Sequence, residues 1–161
     1  MAQEIERKFR VMGEFRHLAH KSIHMVQGYI ASGRRTVRVR ISDDKAWLTI
    51  KGASTNGGLT RYEWEHEIGL KEAMELIQLS EGATIEKRRY YVDYAEHTFE
   101  VDVFEGENSG LIIAEVELQS EDENFERPEW LGHEVTGIKR YYNSHLRTHP
   151  YSEWTSEERD E

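Results

Sequence analysis

The 161-residue chain has no cysteine, which removes disulfides, thiolate nucleophiles and cysteine-ligated zinc at once and fits a reducing compartment. It has only two prolines, so few positions are barred from a sheet ladder. No stretch approaches the roughly 20 apolar residues of a membrane span. Glu4, Arg7 and Lys8 interrupt any apolar run a signal peptide would need, and the chain reads as cytoplasmic. A surplus of positive charge is missing too. With 21 Lys and Arg against 31 Asp and Glu, the formal net charge is −10, which argues against a binder of duplex nucleic acid. At about 150 residues per domain the length suits one domain, residues 1–150, followed by an acidic tail at 151–161 expected to be disordered.

What the chain does contain is strand-like alternation. AQEIERKFRV opens it, with Glu4, Glu6 and Lys8 at every second position and Ile5, Phe9 and Val11 between them. EFRHLAHKSIHM reads as helix-like and QGYIA as a strand. TVRVRIS and AWLTIK are then joined by a plausible hairpin turn at Asp43 and Asp44. A Gly-rich loop, GASTNGGL, leads to RYEWEHEI, and KEAMELIQLSEG carries Ala73, Met74 and Ile77 at amphipathic-helix spacing. IEKRRYYVDY, HTFEVDVFEG and LIIAEVELQS are further strand candidates, 123–132 is a short helix or turn, and YYNSHLRTH forms a last helix. Many antiparallel-looking strands with few helices indicate an α+β chain whose sheet can close.

The alternating positions are charged, and their signs are blocked by strand. Arg38 and Arg40 share one face, as do Lys87 and Arg89; Glu63 and Glu65, Glu100 and Asp102, and Glu115 and Glu117 form acidic faces, and Lys51 ends AWLTIK. These could be the solvated faces of an ordinary antiparallel sheet. Alternatively they converge inside a closed sheet, with the apolar faces outside, covered by helices or a partner. Converging cations would suit a polyanion of several phosphates, and converging carboxylates would suit a hard ion such as Mg²⁺ or Mn²⁺. The histidines lack a convincing zinc spacing, and Trp47, Trp64 and Trp130 read as core or interface residues.

Glu4-Ile5-Glu6-Arg7-Lys8 resembles the ExExK signature of the CYTH superfamily, the triphosphate tunnel metalloenzymes, and is followed in order by QGYI, VRVR, LTIK, RYEWE, EKRRY, EVDVF, AEVE and KRYY. The resemblance covers about residues 2 to 146. It implies an eight-stranded antiparallel β-barrel with a polar interior, a few flanking helices and a C-terminal helix near one tunnel mouth. It also implies a metal-dependent enzyme acting on a triphosphate with Mg²⁺ or Mn²⁺. By the same resemblance Glu4, Glu6, Glu115 and Glu117 match metal-binding acids, with Glu63, Glu65 and Asp102 as outer ligands or water-positioning groups. Lys8, Arg38, Arg40, Lys51, Lys87 and Arg89 match phosphate-gripping residues, Tyr29 a tunnel tyrosine, and Lys139 and Arg140 the C-terminal basic pair.

Short members of this kind resemble inorganic tripolyphosphatases, so hydrolysis of tripolyphosphate to pyrophosphate and phosphate is the first expectation. Nucleoside triphosphatase, class IV adenylate cyclase, thiamine triphosphatase and a non-catalytic binder of polyphosphate or nucleotide are its rivals. The apolar outer positions Val37, Val39, Trp64, Val101 and Val116 lead to an expected homodimer.

Overall fold

A computed structural model describes residues 3–160. Nine strands are β1 (Gln3–Val11), β2 (Lys21–Ala31), β3 (Thr36–Ser42), β4 (Lys45–Lys51), β5 (Thr60–Ile68), β6 (Ile85–Tyr94), β7 (His97–Phe104), β8 (Ile112–Glu117) and β9 (Leu131–Glu134). They are joined by short helices α1 (Leu70–Leu76), α2 (Asn143–Leu146) and α3 (Ser156–Asp160) and several single 3₁₀ turns. The order is β5-β4-β3-β2-β6-β7-β8-β1-β9, all antiparallel, and a further β5–β1 pairing closes β1 to β8 into a barrel.

Two tight turns set the hairpin registers. Ser42 pairs with Lys45 across Asp43 and Asp44, and Asp43 takes the left-handed conformation that a two-residue hairpin favours. Tyr94 pairs with His97 in the same way, with Ala95 left-handed. Because the registers hold, every charged alternating position of β1, β3, β6 and β7 turns to the same side of the wall.

That side is the inside. The apolar positions lie on the outer wall or plug one end, in three clusters. Phe9, Phe99, Val101, Ala114 and Val116 on the outside of β1, β7 and β8 are covered by Phe15, Trp130 and Leu131. Val39 and Ala46 are covered by Ala73 of α1, with Leu76 and Ile77 beside it, whereas Met74 is 58% exposed, off the face the spacing suggested. Tyr29, Ile85 and Ile113 meet Val135, Tyr141, Leu146 and Trp154 in a third cluster built by the C-terminal turns. Of the aromatic residues expected on the outer wall, Trp64 stays 39% exposed beside Tyr62.

Three expectations from the sequence need correction. EFRHLAHKSIHM is not a helix: only Arg16–Leu18 form a 3₁₀ turn, and from Lys21 the chain is already strand, because Lys21 to Gln27 pair with Tyr91 to Ile85 of β6. Local spacing suggested a helix, and cross-strand pairing overrode it. The helix expected over YYNSHLRTH is only the four residues of α2. The expected disordered tail is docked: Trp154 is 5% exposed, packed edge-on against Tyr141 and Tyr151, and Arg159 donates to the Tyr151 carbonyl at 2.8 Å. One buried indole is enough to hold a stretch whose composition is otherwise polar.

Candidate active site

The barrel encloses a cavity lined mostly by charged residues. β1 sends Glu4, Glu6 and Lys8 into it. Neighbouring β8 adds Glu115, and β5 adds Glu63 and Glu65. From the other side come Arg38 and Arg40 of β3, Lys51 of β4, and Lys87 and Arg89 of β6, with Tyr29 of β2 at one end. Twelve of the sixteen residues singled out in the sequence thus share one cavity, drawn from strands up to about 110 positions apart.

The barrel register pairs most of these charges across the wall. Lys8 lies opposite Glu115, with Nζ 3.6 Å from Oε2. Lys51 faces Glu63 and sits 3.3 Å from it and 3.1 Å from Glu4. Arg38 reaches Glu65 at 3.3 Å. Arg89 donates from Nε to Asp102 Oδ1 at 2.7 Å, with Glu115 at 3.3 Å and Glu100 at 3.5 Å from its terminal nitrogens. Lys87 donates to Asp102 at 2.7 Å and to Asn143 Oδ1 at 2.8 Å.

Two cations line the cavity without an ion pair among the described residues. Arg40 donates from Nε to the Gln27 side-chain oxygen at 2.9 Å, and Arg61 donates to the Thr36 hydroxyl at 3.3 Å, its Nε buried without a partner. A buried guanidinium with unused donors is costly, and an anion in the cavity would satisfy it.

Titration behaviour follows the crowding. Burial, then the charges of Glu115 and Glu4, push the Glu6 carboxyl well above its ordinary range, and Glu6 hydrogen-bonds Glu115. Burial opposes ionisation of Glu115 too, but Lys8, that hydrogen bond and Arg89 outweigh it and hold Glu115 well below its ordinary range. Glu4 is lowered because Lys51 overcomes its burial, and Glu63 is raised by burial and by Glu4. On the basic side, burial lowers Lys87 to about 7, helped by Arg89 and Arg40 against the pull of Asp102. Burial and neighbouring Arg38 lower Arg40 to about 10.

Four residues expected in the site fall elsewhere. Asp102 is 1% exposed, behind Lys87 and Arg89 rather than on the cavity wall, so its two oxygens are taken up as their shared counter-ion. Glu117 is exposed, opposite Glu6 in the ladder but outside the lining. Lys139 and Arg140 belong to a 3₁₀ turn outside the cavity, where Arg140 lies over the rings of Tyr141 and Trp154 at 5.0 and 5.7 Å. The turn presents Tyr141 inward, and so sends the basic pair away.

Other lining residues were missed. Arg61 is two residues before Glu63, on the same face of β5, so the alternation that exposed Glu63 and Glu65 also contained it. Glu100 was on a recognised acidic face. Tyr142, just before α2, and Asn143 and Ser144, its first residues, line the cavity as well, and the Lys8 ammonium lies 5.3 Å over the Tyr142 ring. The Gly-rich loop closes the same mouth: a Cβ on Gly137 would meet the Gly57 carbonyl oxygen, so the two loops touch only because that side chain is absent.

The chain that builds this charged cavity is similar to known proteins along most of its length. The chain is 47% identical over 153 residues to an inorganic triphosphatase of Acetivibrio thermocellus, covering 94% of this chain and 97% of that one. It is 36% identical to an inorganic triphosphatase of Nitrosomonas europaea, covering 89% and 95%. The crystal structure of the inorganic triphosphatase NE1496 superposes with a TM-score of 0.65 at 34% identity, covering 91% and 95%. The CYTH domain model matches residues 2–144, which include every strand and the whole cavity-bearing barrel, and the chain belongs to the CYTH domain family.

Proposed function

We propose that the chain is a divalent-metal-dependent inorganic triphosphatase, cleaving tripolyphosphate to pyrophosphate and phosphate. The observation that carries this reading is the division of one buried cavity into a carboxylate wall (Glu4, Glu6, Glu115) and a cationic wall (Arg38, Arg40, Lys87, Arg89). Its relatives at 36–47% identity carry the same activity in their names.

The carboxylate wall fits a hard divalent ion. Burial and the charges of Glu115 and Glu4 raise Glu6 well above its ordinary range, and carboxylate oxygens crowded in this way are the donors Mg²⁺ and Mn²⁺ prefer. Glu4, Glu6 and Glu115 would hold the ion. Once bound, it would supply charge neutralisation at the phosphate oxygens.

The protein's own groups do the rest. Arg40 and Arg61, the two lining cations without ion pairs, seize the entering polyanion. Arg38, Lys87 and Arg89 surround the bridging oxygens and stabilise charge that builds on the leaving pyrophosphate, where positioning and electrostatics supply most of the catalysis. Glu63, raised by burial and facing the cavity, accepts a proton from water attacking the terminal phosphorus. Apart from Tyr29, Leu59 and Tyr142 the lining offers little apolar surface, and the Tyr142 face is already given to Lys8, so a nucleobase has no platform. That favours an inorganic substrate over a nucleotide. Exposed Ile50, Tyr62 and Trp64 are where a homodimer would form.

The test is a substrate panel of tripolyphosphate, ATP, thiamine triphosphate and pyrophosphate, each with Mg²⁺ or Mn²⁺ and with chelator. Fastest phosphate release from tripolyphosphate, abolished by chelation, is expected. A preference for ATP or thiamine triphosphate, or turnover in chelator, would overturn the assignment.

A further inference from the structure

Outside the tunnel, His24 of β2, Glu86 of β6 and Glu105, just after β7, converge on the outer wall. One ligand atom from each lies within 4.8 Å of the other two. His24 Nε2 is 2.6 Å from Glu86 Oε2 and 3.5 Å from Glu105 Oε2, and the three side chains are between one third and one half exposed. They come from three neighbouring strands, so only the folded sheet assembles them. Main-chain bonds fix two of the approaches: Glu105 N–H donates to the Glu86 carbonyl at 3.0 Å, and Asp43 N–H donates to the His24 carbonyl at 3.3 Å.

The cluster carries two carboxylates for one imidazole. Among the described residues, His24 is the only basic group within ion-pair distance of Glu86 or Glu105. The nearest arginine in sequence, Arg88, lies across from His24 in the ladder and donates instead to the Ser22 hydroxyl at 3.2 Å. Two carboxylates are therefore held together around one imidazole, with no arginine or lysine to neutralise them. A tetrahedral ion with bonds of about 2.0–2.2 Å needs ligand atoms roughly 3.4 Å apart, a spacing that rotation of these partly exposed side chains reaches. One imidazole nitrogen with two carboxylates suits a borderline divalent transition ion rather than Mg²⁺, which is reluctant to give up oxygen ligands.

We propose that His24, Glu86 and Glu105 form a surface site for a divalent transition-metal ion of the Zn²⁺ class. With three protein ligands the site leaves a coordination position for water. The ion would staple β2, β6 and the end of β7 together on the outside of the segment whose inner face carries Lys87, and would stabilise the folded chain by mass action.

The experiment is a Zn²⁺ titration by calorimetry with Mg²⁺ in large excess, comparing the wild-type protein with His24→Ala and, separately, with Glu86→Gln/Glu105→Gln. The wild type should bind about one equivalent of Zn²⁺ more than either variant, and Zn²⁺ should raise its melting temperature while raising theirs less. Mg²⁺-dependent phosphate release should be unchanged in all three. Should one variant fail to fold, the other still decides. Equal Zn²⁺ stoichiometry and affinity in wild type and a folded variant would overturn the site.

Discussion

The two walls of the tunnel solve the same problem in opposite ways. On the carboxylate wall, crowding favours the proton: burial and the neighbouring charges of Glu115 and Glu4 raise Glu6 well above its ordinary range, while Lys8 outweighs burial and holds Glu115 well below its own. On the cationic wall it disfavours the proton: burial with Arg89 and Arg40 brings Lys87 down to about 7. Asp102 is drawn back behind the cationic wall to hold Lys87 and Arg89, and Arg40 beside them has no ion pair among the described residues. Each wall is thus poised for a ligand of the opposite sign, a metal ion on one and phosphate oxygens on the other.

Breaking the carboxylate wall should have the largest effect. Glu4→Gln and Glu6→Gln keep shape and remove charge, so steady-state turnover of tripolyphosphate should fall about a hundredfold or more, with a smaller change in KM and a rise in the Mg²⁺ concentration needed for half activity. Turnover within a factor of two of wild type in both variants would remove the metal from this wall. The cationic wall should answer differently. Arg40→Ala and Arg61→Ala each delete a cation with no ion-pair partner to leave behind, only the neutral Gln27 and Thr36, so the loss should appear mainly as a rise of about tenfold in KM. A fall in kcat with KM unchanged would place these arginines at the transition state instead.

The sequence made this division legible because a strand's alternation survives into the barrel. Glu4, Glu6 and Lys8, like Arg38 and Arg40, could be placed on one face with no knowledge of the fold, and only the closure of β1 onto β5 decided that the face was interior. Arg61 was equally visible two positions before Glu63 and was passed over because the acidic run beside it dominated the pattern. Asp102 was placed on the correct face, but alternation does not tell how deep a residue sits, and two longer cationic side chains cover it. The C-terminal turns resisted reading altogether. Trp154 owes its place to a cluster shared with Tyr29 and Ile85, Asn143 to hydrogen bonds from Gln27 and Lys87, and Tyr142 to the Lys8 ammonium over its ring, and no local period encodes such contacts.

Lys87 allows the comparison to be sharpened by pH. Its amine sits near 7 when folded and near its ordinary value of about 10.4 when unfolded, so between these the unfolded chain holds a proton that the folded chain lacks. Stability measured by denaturant should therefore rise with pH from about 7 to 9 more steeply in the wild type than in Lys87→Met. Parallel curves would mean that Lys87 keeps its proton inside the barrel.

The smallest effect tests how the tunnel mouth is coupled to this wall. Asn143 Oδ1 accepts from both Lys87 Nζ at 2.8 Å and Gln27 Nε2 at 3.0 Å, tying the four-residue α2 to two strands at once. Asn143→Ala removes that acceptor from both donors, bonds of about 1 kcal/mol each, but Asp102 still holds Lys87, so KM should rise only a few-fold. Asn143→Asp instead places a carboxylate against the ammonium, which should hold the Lys87 proton to higher pH and flatten the stability gain between pH 7 and 9. If both variants match the wild type in KM and in pH slope, α2 merely caps the barrel and the cationic wall is set by the strands alone.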